Sequence, residues 1–262
     1  MTPDAPGPLE ARLRARRDEG AKLLVPYVTG GYGDDWLDVL RAVADAGADA
    51  IEVGIPFSDP VMDGPVIQAA SERSLRRGTT PQSLLTDLAG VDAGVPLAVM
   101  LYYNTVFHMG HERFASELVS AGVSAAIVPD LPLEEVGPWA AAADAAGVET
   151  VMLAAPTAPD ERLPRICERA RGFVYAVGLL GVTGERAALA ESATVIAARL
   201  KAVTDRPVLV GVGVGTAEQA VQASTVADGV VVGTALVRRL LEGGGPEGAG
   251  AFVGELRRAL DA

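Results

Sequence analysis

The chain is poor in the residues that build disulfides and metal centres. Of its 262 residues one is cysteine, Cys167, so no intrachain disulfide can form. Two are histidine, His108 and His111, at i and i+3 with no third ligand close by, so a dedicated His/Cys metal site is not expected. Cations are scarce too: 22 Lys and Arg stand against 34 Asp and Glu, a net charge of −12. Nucleic acid needs clustered basic residues and is excluded as a partner on that ground. A small phosphorylated ligand is not excluded, because backbone amides bind phosphate without a cation. Residues 1–8 lack the apolar run of a secretory signal. No unbroken apolar stretch approaches the roughly 18 residues of a membrane span. A cytoplasmic protein is expected.

What the chain has instead is a rhythm. Short apolar runs, many of them β-branched, fall at 23–28, 50–53, 97–101, 125–128, 150–153, 173–177, 208–210 and 229–232. Between them lie helical patterns, at 35–46, 112–121, 134–146 and 194–203 among others. Strand–helix alternation implies a parallel sheet with helices outside, and eight units in this length predict one (β/α)₈ barrel domain over 1–262, with an extra N-terminal helix. Gly47, Gly122 and Gly147 each stand between a helical pattern and a strand, as C′ residues do. Residues before Leu9 read as frayed, and 243–250 reads as a loop splitting the last helical region.

The strand-to-helix loops hold the chemistry, since they form the C-terminal mouth of such a barrel. Glu52 interrupts the second apolar run, and Asp63 follows in the next loop. A carboxyl group in apolar surroundings has a raised pKa and can give and take a proton near neutrality. Two carboxylates in unlike settings suit divided acid and base roles. Alternatively, Glu52 pairs with a basic side chain and serves only to close the barrel. Gly181-Val182-Thr183-Gly184, Gly211-Val212-Gly213-Val214-Gly215-Thr216 and Gly233-Thr234 follow the last three runs, where backbone amides and a helix N-terminus commonly cradle phosphate. Tyr102-Tyr103-Asn104 and Pro129-Asp130-Leu131-Pro132 either line the mouth or are ordinary turns. Tyr175 is read equally as core or as substrate contact. Cys167 lies in a helical pattern as a small core residue.

The block from Gly47 through Glu52-Val53-Gly54-Ile55-Pro56-Phe57-Ser58-Asp59-Pro60 to Asp63-Gly64-Pro65 resembles the signature of the tryptophan synthase alpha chain. The tyrosine, proline and glycine motifs above match that family in order, from about residue 9 to 260. The resemblance implies a lyase that cleaves indole-3-glycerol phosphate to indole and glyceraldehyde 3-phosphate. It makes Glu52 the proton shuttle, Asp63 the acceptor of the indole N–H, Tyr175 a neighbour of the glycerol part, and Thr183 a lid residue that reaches Asp63. Gly184, Gly213, Gly233 and Thr234 match the phosphate cradle, and Tyr102 the substrate side of the mouth. It implies no cofactor in this chain and a beta-chain partner that carries pyridoxal phosphate, in an alpha2-beta2 tetramer. Phe57, Asp59, Asn104 and Pro132 are the expected docking residues. Gly178-Leu179-Leu180 departs from the family, where polar residues are common, and Gly215 and Thr234 stand where serine is frequent. A stand-alone lyase releasing indole, a non-catalytic activator and another phosphate-binding barrel isomerase are the alternatives.

Overall fold

The computed structural model describes residues 5–178, 186–211 and 213–262, with side chains at all of these except 186–191. Eight strands, β1 (Leu23–Thr29), β2 (Ile51–Gly54), β3 (Leu97–Met100), β4 (Val123–Ile127), β5 (Glu149–Ala154), β6 (Val174–Ala176), β7 (Val208–Val210) and β8 (Gly229–Val232), pair in parallel in chain order. β8 returns to pair with β1 and closes the barrel. The helices are α1 (Pro8–Asp18), α2 (Trp36–Asp45), α3 (Pro65–Arg76), α4 (Pro81–Ala89), α5 (Tyr103–Met109), α6 (His111–Ser120), α7 (Gly137–Ala146), α8 (Arg162–Arg169), α9 (Arg186–Lys201), α10 (Ala217–Ser224), α11 (Thr234–Leu241) and α12 (Gly245–Leu260). No helix among the described residues is long and apolar enough to cross a membrane. All eight expected runs coincide with strands, and the expected extra N-terminal helix is α1. Gly47, Gly122 and Gly147 all have positive φ, as expected of C′ residues.

Several boundaries differ from the sequence pattern. The helix expected from 134 starts at Gly137, because Pro138 sits in its first turn, where its missing N–H costs nothing. Glu134 is left outside and pairs with Arg162 at 2.6 Å. α9 begins well before the expected 194. The expected loop at 243–250 is a short turn only, since α12 begins at Gly245 with Pro246 in its first turn. Gly250, which reads as loop, is there for packing. A methyl on Gly250 would lie 3.3 Å from the Ala42 carbonyl oxygen of α2, against which α12 packs. Of the residues before Leu9, Pro8 opens α1 and buried Gly7 lies against Glu149, so the order reaches at least to Gly7.

The two ends of the barrel are built differently. At the N-terminal end α1 is a plug: Leu9 and Leu13 are fully buried in one cluster with Leu23, Val25, Phe173 and Leu209. Buried acids here meet cations. Asp49 accepts from Arg16 at 3.0 Å and from Arg257 at 3.3 Å, and Lys201 meets Asp228 at 2.9 Å. α1 has no capping side chain of its own. Glu149, at the start of β5, accepts from the Leu9 and Glu10 N–H groups at 2.8 Å each and so caps α1 from 140 residues away. Burial pushes the Glu149 carboxyl up to about 7.

Glu149→Ala would strand two buried N–H donors. It should cost about 1–3 kcal/mol, read as a lower denaturation midpoint in urea. Because the folded carboxyl titrates above its ordinary 4.5, the fold holds the proton more tightly than the unfolded chain. This group's contribution to stability should therefore decline as pH rises from about 4.5 to 7, and Glu149→Gln should remove that part of the slope.

Candidate active site

At the opposite end the strands hand side chains to the mouth. Glu52 on β2 stands in register with Tyr27 on β1 and Ala98 on β3. It is 1 % exposed, and its Oε2 has no hydrogen-bond partner among the described residues. No ion pair forms with it among the described residues, so the expectation of a purely structural pair is not met; burial and the Asp63 charge together raise its carboxyl to about 8. Asp63, in the loop between β2 and α3, is also raised by burial, with the Tyr102 hydroxyl pulling it back.

Two buried tyrosines flank Glu52. Tyr175 on β6 is buried in the core cluster inside the barrel. Tyr27 was not singled out by sequence. Each phenol is held neutral, pushed above its ordinary range by burial, with the Glu52 charge adding to the effect. Each ring also occupies the space of a missing side chain. A methyl on Gly54 would lie 1.9 Å from the Tyr27 hydroxyl, and one on Gly211 would lie 1.9 Å from the Tyr175 ring. An inward aromatic beside a glycine at the end of the next strand was the signal that could have revealed Tyr27.

The glycine turns sit on the same rim. Gly233 precedes Thr234, the first residue of α11, directly after β8. Gly213, exposed and with φ +81°, follows β7. Neighbouring Gly215 already donates its N–H to the Gln219 side chain at 2.8 Å, and Thr216 caps α10. Thr183, Gly184 and the departure at Leu179-Leu180 lie outside the described residues.

Tyr102 is buried at the end of β3, where its hydroxyl accepts from the Met62 N–H at 3.0 Å. Phe57 is half-buried with its ring centroid 5.1 Å from that of Tyr102. Asp59, Asn104 and Pro132 are exposed on adjoining mouth loops. Val61, Met62 and Phe107 are exposed apolar residues on the same rim, at 80 %, 39 % and 65 %. Phe107 escaped sequence reading because the helix that presents it, α5, was read as a turn. His111 is engaged by the Tyr103 hydroxyl at 2.9 Å. Among the described residues no group of three His, Cys, Asp or Glu side chains could hold a metal.

A family model described as tryptophan synthase alpha chain matches residues 13–251. The chain belongs to the tryptophan synthase alpha-chain family. It is 44 % identical over 240 residues to the tryptophan synthase alpha chain of Thermobifida fusca, covering 89 % of each. It is 42 % identical to that of Streptomyces avermitilis, over 96 % of this chain and 94 % of the other. A chain of Mycobacterium tuberculosis tryptophan synthase superposes with a TM-score of 0.90 at 38 % identity, covering 98 % of this chain and all of that one. The alpha chain of Legionella pneumophila does so at 0.86 and 31 % identity, over 98 % of each. As a member of this family the chain is a carbon–carbon lyase of tryptophan biosynthesis.

Gly54→Ala should force the Tyr27 ring from its place and destabilise the barrel by about 1–3 kcal/mol. In a Tyr27→Ala background the same methyl should cost less than half as much, which a double-mutant cycle in urea would measure.

Proposed function

We propose that Glu52 and Asp63 divide the acid–base work of cleaving indole-3-glycerol phosphate. The observation that carries this is Glu52 itself: a fully buried carboxyl, without a cation among the described residues, at the mouth end of β2 beside a second carboxyl. The reaction breaks the bond between indole C3 and the carbinol carbon. One proton must reach C3, and one must leave the carbinol hydroxyl. Glu52, held neutral below about pH 8, gives its proton to C3. The ring then carries positive charge at its N–H, which the Asp63 carboxylate accepts as a hydrogen bond. The Glu52 carboxylate so formed takes the hydroxyl proton. The C–C electron pair returns to the ring, and indole and the aldehyde part with Glu52 reprotonated. No redox partner or cofactor enters this balance.

A neutral Glu52 also lets Asp63 stay ionised close by, since two like charges in one low-dielectric mouth oppose each other. Tyr175 lies on the glycerol side. Gly213, Gly233 and Thr234, with Gly184, hold the phosphate by backbone amides at the N-terminus of α11, where no Lys or Arg stands.

The exposed rim supports a docking reading. Val61, Met62 and Phe107, with Asp59, Asn104 and Pro132, form a mixed apolar and polar edge around the mouth. We infer that it receives a beta chain bearing pyridoxal phosphate, in an alpha2-beta2 assembly in the cytoplasm. Docking there confines indole, an apolar product that otherwise escapes to solvent.

Glu52→Gln should lower kcat by roughly 10²–10⁴-fold with the circular dichroism of the barrel unchanged, and Asp63→Asn should be nearly as severe. Near-normal turnover in either folded variant would remove the assignment. In the wild type kcat/KM should fall as pH rises through about 8, as Glu52 loses its proton.

Titration with a cognate beta chain should raise the cleavage rate to a plateau. Asp59→Ala should need more beta chain to reach it, with basal cleavage kept. A free chain that is already fast, and that saturating beta chain neither binds nor accelerates, would establish a stand-alone lyase instead.

A further inference from the structure

Asp63 stands in a loop of which few residues are buried, yet the chemistry above needs its carboxylate in one place. The hydrogen bonds around it show how it is held. Immediately before it, the Met62 N–H donates to the Tyr102 hydroxyl at 3.0 Å. Its own carbonyl accepts from the Gln68 side chain of α3 at 2.7 Å. Tyr102 is itself fixed from two directions. Phe57, at the start of the same loop, lays its ring against the Tyr102 ring at an interplanar angle of 32°. Asp130, in the loop after β4, accepts from the next N–H along, that of Tyr103, at 2.8 Å. One side chain at the end of β3 thus ties together the loops after β2, β3 and β4.

We propose that Tyr102 is a positioning residue for Asp63, and that Asp130 keeps Tyr102 in place, so that Tyr102 serves the reaction through the carboxylate and not through contact with the substrate. This revises the sequence expectation of Tyr102 as a binding residue, and it rests on the reading of Asp63 given above. Its hydroxyl is already committed to the protein, accepting at Met62 and facing the Asp63 carboxyl. A hydrogen bond to a charged group in a partly dry site is stronger than one in water. A phenol that also anchors the adjacent peptide controls both the direction and the ionisation of the carboxylate. Among the described residues the groups that face Asp63 are Glu52 from β2, Tyr27 from β1 and Tyr102 from the end of β3. Of these Tyr102 alone favours the carboxylate.

Tyr102→Phe removes the hydroxyl and keeps the ring on Phe57. In the full chain, assayed on indole-3-glycerol phosphate, kcat should fall about tenfold to a hundredfold with KM within about threefold. The acid limb of the kcat profile should move to higher pH, because Asp63 loses the contact that opposes its burial. Hydrogen exchange at the Met62 amide should quicken. Asp130→Ala should reproduce the loss of kcat, whereas Asp130→Asn, which keeps an acceptor for Tyr103, should stay near wild type. The Asp130 pair preserves the test if Tyr102→Phe does not fold. Unchanged kcat and pH profile in folded Tyr102→Phe, or a raised KM at constant kcat, would overturn the proposal alone. A wild-type chain that fails to cleave, or a Glu52→Gln chain that still does, would overturn the site reading and the proposal together.

Discussion

A carboxyl group with no cation beside it among the described residues is buried in the mouth of a barrel, and the rest of the site answers to that constraint. Ionised Glu52 would be costly to hold there, and no described Lys or Arg offsets the cost. It therefore binds its proton up to about pH 8. Whatever stands nearby must tolerate a neutral acid that becomes an anion in mid-reaction. The neighbours are phenols, which are polar without being charged. The two glycines beside them give the rings room that any side chain would take. Had an arginine reached Glu52, the pair would have been more comfortable and the proton would have been lost.

That absence gains force from the other end of the same barrel. There the buried acids Glu10, Asp49 and Asp228 all have a cationic partner, and Glu149 has two backbone amides. The chain thus gives buried carboxylates that only hold the fold a partner, a cation for three of them and backbone amides for Glu149. The N-terminal end is sealed by α1 and stitched by ion pairs, while at the C-terminal end Glu52 and Asp63 have no cationic partner among the described residues and the loop that carries Asp63 is tied by the Tyr102 hydroxyl and the Phe57 ring. This division between a stabilising base and a reactive mouth is general to barrels of this kind. Here it can be read from which carboxylates have partners.

The mouth loops have two duties that pull against each other. Asp63 must be held firmly, yet Val61 and Met62 just before it are exposed to receive another surface. Tyr102 reconciles them by gripping the backbone of the loop and leaving its outer side chains free. Phe57, at the start of the same loop, lays its ring on that of Tyr102, so one side chain meets the loop at two places.

The sequence by itself determined the periodic part of this protein. Apolar runs of strand length separated by helical patterns admit few folds besides a closed parallel barrel, and a Glu inside such a run is conspicuous because its cost is local. The left-handed turns at Gly47, Gly122 and Gly147 were legible for the same reason, since backbone sterics act between adjacent residues. What the tertiary structure alone decided depends on residues far apart in the chain. Glu149 caps a helix 140 residues before it, so no local pattern announces it. Gly250 reads as a loop residue until α2 is laid against it. Tyr27 is one more apolar strand residue until β2 brings Glu52 into register with it. Tyr102 shows no tie to Met62 in the sequence until the loop after β2 folds over and places the Met62 amide on its hydroxyl. Propensity and alternation are encoded between neighbours, whereas the partner of a buried polar atom is fixed only when the chain closes on itself.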